Sequence, residues 1–320
     1  MGRFVLRRLV QAVPTVIGIM VITFALTRLS PSDPVRLMVG AAPDVTSEDY
    51  AQLREALGLN APLPLQFIDW TRRAIVGDFG QSFYYHRPAI ALIGERIPNS
   101  LQLSLLGLLV ALLIGVPLGV IAALMRGRLV DHGIRISSVV LNAVPDFFLG
   151  LVVVLVFAVQ LKWLPVGSMN AVGDSCVLCW DRAWHLIAPV LVVATGGIAI
   201  YPRYLRTEML EMLSQDFVRT ARSKGLRERS VIIAHVLRNA LIPVVTLFGG
   251  ILTIVLGGSV VIEQVFNWPG LGRLLFEAAN AKDYPVVQAS VVIGSMLLVV
   301  SYIMRDITYA LVDPRIKVGK

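Results

Sequence analysis

The stretch LQLSLLGLLVALLIGVPLGVIAAL, residues 101–124, decides the fold. It carries no charged side chain from end to end. About 20 apolar residues, at a rise of 1.5 Å each, cross the roughly 30 Å of a bilayer's hydrocarbon. The stretch therefore reads as a membrane span. Within it Gly107, Ala111, Gly115, Gly119 and Ala123 recur every four residues. That period puts small residues on one helical face and lets a neighbouring helix come close. Helix packing is the plain use of such a face; a sliding or pore-lining role is the alternative.

Working outward, the same criterion selects 9–29, 136–159, 186–204, 243–263 and 286–304. Six spans account for the composition. The 320 residues are 56% hydrophobic and only 16% charged, against roughly 25% charged in ordinary soluble domains. Mean hydropathy is +0.73. Such a chain exposes too much apolar surface to be a soluble monomer. The first span follows Arg3, Arg7 and Arg8 as a signal peptide would. Its apolar run is too long for that, and no small-residue cleavage site follows, so an uncleaved span is expected.

The net charge of +8 would point to nucleic acid in a soluble protein. Here it follows the membrane, and no nucleic-acid partner is expected. The N-terminus, the 125–135 loop (Arg126, Arg128, Arg135), the 203–240 loop and the tail (Arg305, Arg315, Lys317, Lys320) are basic. The intervening loops offer only Lys162 and Arg182, then Arg273 and Lys282. The positive-inside rule then places both termini in the cytoplasm. The expected fold is an all-α polytopic membrane protein of six transmembrane helices. Segment 30–100 is long, mixed in charge and proline-rich, and reads as a small extracytoplasmic insertion between the first two spans. Within it Ser47–Leu57 reads as a helix with Ser47 as N-cap and Gly58 just past its end.

No enzyme constellation is present. The chain lacks G-x-x-x-x-G-K-[ST], H-E-x-x-H and G-x-S-x-G. His86, His132, His185 and His235 are scattered without metal-ligand spacing. No catalytic residue, no metal and no cofactor bound by this chain is expected. Asp146, in AVPDFFLG, is the one clear ionisable residue central to a span. Its insertion costs about 2.5–3.5 kcal/mol, so it should face a wet cavity or a neighbouring helix. Cys176 and Cys179, in the outward loop, suit a local disulfide or two free thiols. Their spacing matches redox pairs, but no βαβ context accompanies it.

The most charged internal segment is RTARSKGLRERSVIIAHVLRNALIPVV, residues 219–245. Asp216 can cap a short helix through Phe217, Val218, Thr220 and Ala221, and Gly225 can stop it. A second helix then presents Ile233, Val236, Leu237, Ala240 and Leu241 on one face until Pro243. Two helices with a bend, cationic on one side, suit a docking site for a soluble protein, or a basic loop resting on anionic lipid.

Asp216-Phe217-Val218-Arg219-Thr220-Ala221-Arg222-Ser223-Lys224-Gly225, with His235-Val236-Leu237-Arg238-Asn239-Ala240-Leu241-Ile242-Pro243-Val244, resembles the cytoplasmic loop of ABC importer permeases. More narrowly it resembles the dipeptide, oligopeptide and nickel (DppB/OppB-like) branch, which also serves glutathione. The resemblance runs along the whole chain. It includes Arg7-Arg8-Leu9, Pro14, Ser30-Pro31-Ser32-Asp33-Pro34, Leu57-Gly58-Leu59-Asn60-Ala61-Pro62-Leu63 and Gly77-Asp78-Phe79-Gly80-Gln81-Ser82. Val265-Phe266-Asn267-Trp268-Pro269-Gly270-Leu271-Gly272-Arg273 and Asp283-Tyr284-Pro285 complete it. Two departures stand out. Ser32 replaces the glycine of the usual Pro-Gly-Asp-Pro. Thr220-Ala221-Arg222 stands where the general importer loop has Glu-Ala-Ala, and the long interval from Gly225 to Pro243 is the form the peptide branch uses.

The resemblance implies a type I ABC importer permease in a bacterial inner membrane. It would comprise the N-terminal tail and first span at 1–29, the insertion at 30–100, and a permease core of five spans at 101–320. A cytoplasmic coupling loop would occupy 205–242 and an outward lid 264–285. The implied partners are a second homologous permease, two ATPase subunits carrying ATP and Mg, an extracytoplasmic substrate-binding protein and membrane lipid. Asp216, Arg219, Thr220, Ala221, Arg222, Lys224 and Gly225 would couple to the ATPase. Asn267, Trp268, Pro269, Gly270 and Gly272 would shape the lid, and Asn99, Gln102, Asn142 and Asp146 would line the path. An ion-coupled carrier or channel is the alternative, and it calls for more intramembrane ionisable groups than Asp146 supplies.

Overall fold

The computed structural model describes residues 2–30, 33–39, 46–170, 180–241 and 260–312. Every element named within them is helical, and an isolated bridge pairs Gln81 with Pro88. Among the described residues, four helices are long and apolar enough to cross a membrane: Leu6–Leu29, Ala89–Leu124, Trp180–Leu213 and Tyr284–Met304. They contain the expected spans 9–29, 101–124, 186–204 and 286–304. Residues 243–259 of the fifth expected span, Gly250 and Gly258 among them, lie outside the described residues, as do Cys176 and Cys179.

The third expected span is not one straight helix. Residues 129–160 form a pair of helices bent by 96° at a short break. The cause is local. Pro145 has no N–H to give and disfavours helical backbone in the residue before it. Val144 accordingly takes extended backbone, with φ −85° and ψ 123°. A single span over 136–159 is therefore corrected to a broken one, which counts as a fifth crossing only when its halves are joined.

The chain divides into two units. The first comprises residues 1–99 and 270–300. It holds α1 (Gly2–Leu29), α2 (Pro34–Val39), α3 (Ser47–Ala56) and α4 (Leu63–Ile75). Phe24 of α1 meets Phe67 and Trp70 of α4, with ring centroids 5.4 and 5.7 Å apart. The cap of α3 is one residue earlier than the sequence reading put it. Thr46 is the N-cap, and a reciprocal capping box joins it to Asp49, with Ser47 the first helical residue. Thr46 wins because its side chain has a carboxylate three residues on to answer its own backbone N–H. Gly58 does close the helix, at φ +65°.

The loop after α4 is tied to a distant part of the same unit. The buried carboxylate of Asp283 accepts the Ser82 hydroxyl at 2.5 Å and the N–H groups of Phe83 and Tyr84 at 3.2 and 3.3 Å. Tyr85 donates its hydroxyl to Glu277 at 3.0 Å, and Glu277 pairs with Arg273 at 2.7 Å. The Tyr85 hydroxyl titrates above its ordinary range, first because it is partly buried and then because Glu277 accepts from it. Asp283, Glu277 and Arg273 belong to the later part of the unit, where α12 (Leu271–Asn280) and the start of α13 (Tyr284–Val312) lie.

The second unit comprises residues 100–269 and 301–320. Most of α5 (Ala89–Leu124) falls here, with α6 (Leu129–Ala143) and α7 (Asp146–Val153, extended by a π-helical turn to Gln160). Then come α8 (Trp180–Leu213), α9 (Asp216–Ser223), α10 (Glu228–Ser230, extended by π-helical Val231–Leu237) and α11 (Val260–Val265). The small-residue face of α5 meets α8. A Cβ added at Gly119 would stand 2.9 Å from the Leu205 Cβ, and one at Gly115 3.1 Å from that of Tyr201. Gly107 is closed in by Val193 in the same way. From the other side, a Cβ at Gly197 would sit 2.6 Å from that of Ala111. The period of four is thus a packing seam, in which close approach depends on absent side chains.

On another side α8 meets α6 through charge. Arg206 reaches the buried Asp131 with two bonds, Nε to Oδ1 at 2.6 Å and Nη2 to Oδ2 at 2.8 Å. The backbone N–H of Gly127 gives Asp131 a further bond at 2.9 Å.

Candidate functional site

The expected coupling residues stand on α9 and its C-terminal turn. Only Val218 and Ala221 of this helix are buried. They fall three residues apart, which puts them on one face. They share an apolar cluster with Leu205 and Met209 of α8 and with Val231, Val236 and Ala240. Asp216, Arg219, Thr220, Arg222 and Lys224 are exposed, and so is Phe217. A helix of this length is marginal alone, so its two-residue footing and its caps must hold it.

The caps differ in part from the sequence reading. Gln215 is the N-cap and makes no side-chain cap bond; Asp216 is the first helical residue. There it still places a negative charge in the first turn, where the helix dipole favours it. At the other end Gly225 takes φ +74°, a left-handed conformation that glycine adopts without strain. Its N–H bonds the carbonyl of Arg222 at 2.9 Å, and the N–H of Leu226 bonds that of Ala221 at 3.4 Å. This pair is the Schellman closure. Arg222 then clamps the next turn through two bonds to Glu228, at 3.1 and 2.6 Å. Arg222 holds the Glu228 carboxyl below its ordinary range, and Glu228 raises the Arg222 guanidinium in turn.

The helix after the bend is built differently from the regular pattern expected of it. Val231–Leu237 is π-helical, and its buried residues are Val231 and Val236. Ile233 is exposed. A wider turn moves the inward face from a spacing of three or four to one of five. Ile233 is thereby removed from the buried set and Val231 brought into it, while Leu237 and Leu241 pack partly buried against the cluster.

Of the expected path residues in the second unit, Gln102 is the one held in place. Its side chain accepts from the mostly buried Arg182 at 2.5 Å. The guanidinium of Arg182 also lies 6.0 Å from the ring centre of Trp268, which is wholly buried. Asn142 and Asp146 are exposed, and among the described residues neither side chain is held by a hydrogen bond or ion pair. Asp146 opens α7 directly after the bend instead of lying within a continuous helix. Asn99 belongs to the first unit, where its amide approaches the carbonyl of Glu95 at 3.4 Å.

The expected lid residues also fall to both units. Asn267 takes φ +52° and closes α11: its N–H bonds the Gln264 carbonyl at 3.2 Å, and that of Trp268 bonds Glu263 at 2.8 Å. Pro269 follows, as a residue that cannot continue a helix. In the first unit Gly270 is the N-cap of α12, and Gly272 is buried in its first turn.

Two groups escaped the sequence reading. Glu263 is wholly buried and accepts the Ser100 hydroxyl at 2.7 Å. Asp146 is therefore not alone among ionisable residues in or beside the spans. Arg182 reads in the sequence as a loop charge, yet it is buried on Gln102. Both partners lie far off in sequence, so no local pattern could announce either pair.

Comparisons with known proteins agree along the whole chain. Residues 115–318 match the family model described as binding-protein-dependent transport system inner membrane component. Residues 1–104 match the model of the N-terminal part of such membrane components. The "Oligopeptide transport system permease protein AppB" of Bacillus subtilis is 41% identical over 99% of this chain and 100% of its own length. The "Probable peptide ABC transporter permease protein y4tP" of Sinorhizobium fredii is 37% identical over 99% of this chain and 100% of its own. These are transport subunits, not enzymes.

Proposed function

Since the chain belongs to the family of binding-protein-dependent transport system inner membrane components, we propose that it is a permease subunit of an ATP-driven importer of peptides. Both relatives carry peptide or oligopeptide transport in their names, which supports that cargo class. The complex sits in a bacterial inner membrane, with six spans in this chain and both its termini cytoplasmic. A second homologous permease completes the path. Two ATPase subunits hold ATP and Mg, and an extracytoplasmic binding protein delivers the solute.

In this reading α9, within loop 205–242, is the coupling helix. Asp216, Arg219, Thr220, Ala221, Arg222, Lys224 and Gly225 carry the ATPase's motion into the core at 101–320. The observation that supports it is the exposure pattern of α9. Val218 and Ala221 root the helix in the same apolar cluster as α8, while its charged side chains and Phe217 face outward. A motion applied to the outer face is thereby transmitted to a long helix through a stiff, packed contact. Segment 264–285 serves as the outward lid, with Asn267, Trp268, Pro269, Gly270 and Gly272 setting its turns. Asn99, Gln102, Asn142 and Asp146 offer polar groups along the path.

The test is the assembled complex in proteoliposomes carrying Arg222→Glu. Peptide uptake should fall about tenfold, within the usual range of a coupling energy, while ATP hydrolysis and thermal stability stay near wild type. Uptake at the wild-type rate in this variant would overturn the coupling role.

A further inference from the structure

The first unit contains a cavity of about 240 Å³ that the transport reading leaves unused. Its walls are mostly apolar and include Met38, Leu59, Phe79 and Phe83. Arg28 and Trp70 also line it. Trp70 is 8% exposed, and its Nε1 is buried with no hydrogen-bond partner among the described residues. The Nε of Arg28 is in the same position. An indole and a guanidinium donate and cannot accept, and buried donors are normally paired. Asp78, Gln81 and Gln288 also line the cavity, but none of their oxygens reaches these two donors, which are left without an acceptor. A free anion would meet the donors but not the apolar wall, and a bare hydrocarbon would do the reverse. The fitting ligand has an oxygen-bearing head and an apolar body.

Depth narrows the class. The apolar run Leu6–Leu29 has 24 residues, roughly 36 Å of helix at 1.5 Å each. This exceeds the roughly 30 Å of hydrocarbon. Arg28, next to the last of these residues, therefore stands where lipid esters and phosphates meet the acyl chains. The helices beside the cavity are greasy outside as well. Leu29 of α1 is 77% exposed and Val76, just past α4, is 80% exposed. We propose that this cavity takes an acyl chain of a membrane phospholipid, whose ester or phosphate oxygens accept from Arg28 Nε and Trp70 Nε1. The inference rests on α1 being a span. It is independent of the cargo and of the role of α9.

The test uses the intact complex in nanodiscs of phosphatidylethanolamine and phosphatidylglycerol, doped with a phospholipid bearing a diazirine on its acyl chain. After irradiation, labelled residues are mapped by peptide mass spectrometry. Labelling should concentrate on Met38, Leu59 and Phe79. Trp70→Phe, which keeps the ring and removes the N–H, should lower it about fivefold, the worth of one hydrogen bond. Leu59→Trp, which fills the space, should abolish it, and Leu113 on the exposed face of α5 should label equally in all forms. Excess inorganic phosphate should leave the pattern unchanged. Cavity labelling no higher than background, or equal in both variants, would overturn the proposal. Displacement by inorganic phosphate would make the site one for free anions, and displacement by the binding protein would make it a protein contact; either result overturns the lipid assignment.

Discussion

Helix α8 and the short α9 that follows it belong to one apolar cluster, yet they are built on opposite terms. Around α8 the contacts are buried and exact. Glycines of α5 admit it on one side, and the Arg206–Asp131 pair fastens it to α6 on another. On α9 two side chains go inward and the rest stay out. Shape and paired charge decide the first region; display decides the second. Variants around α8 should therefore be read out as stability, and variants on the outer face of α9 as coupling.

The largest effect is expected at Asp131→Ala. It leaves Arg206, whose side chain is 18% exposed, without its carboxylate. Breaking such a pair costs about 3–5 kcal/mol, visible as a marked drop in the melting temperature of the purified complex. If the variant melts with wild type, charge is not what fastens α6 to α8. Gly119→Leu comes next. Its side chain would be forced against Leu205, at about 1–3 kcal/mol for overpacking. Size-exclusion profiles and melting curves in detergent should both report it, whereas an unchanged melt would show that the seam has slack.

The smallest effect lies on α9 itself. Arg222 depresses the Glu228 carboxyl, so the pair contributes fully above the ordinary glutamate range. The contribution fades as pH falls through the lowered value. Both side chains are exposed, and the change should be local. Hydrogen exchange at 222–228, corrected for the intrinsic slowing of amide exchange in acid, should rise at low pH while that of α8 does not. Equal rises in both would erase the distinction between a displayed helix and a buried one.

The sequence announces whatever repeats within a few turns. Four expected spans coincide with long apolar helices, since an uninterrupted run of that length has few other destinations. The period of small residues on α5 is legible for the same reason, and so is the stop at Gly225. The bend at Val144–Pro145 was open to the same reading, since proline restricts the residue before it; the apolar run on either side concealed it. The π-helical turn of 231–237 carries no local signature, and it alone displaces Ile233 from the buried face. At α3 the neighbouring Thr46 and Ser47 compete for the cap, and the carboxylate of Asp49 decides between them. The candidate site is legible as far as α9 extends. The Arg182–Gln102 and Glu263–Ser100 pairs are not, because separation along the chain hides them.

The Asp283 carboxylate carries a consequence for the order in which the molecule is made. It accepts from Ser82, Phe83 and Tyr84 across some 200 positions of sequence. Synthesis runs from the N-terminus, so these three donors leave the ribosome long before their acceptor exists. The early loop lacks these bonds while the intervening helices are made, and it gains them only once Asp283 has been delivered. Arrival of Asp283 is thus itself the event that finishes a unit begun some 200 residues earlier.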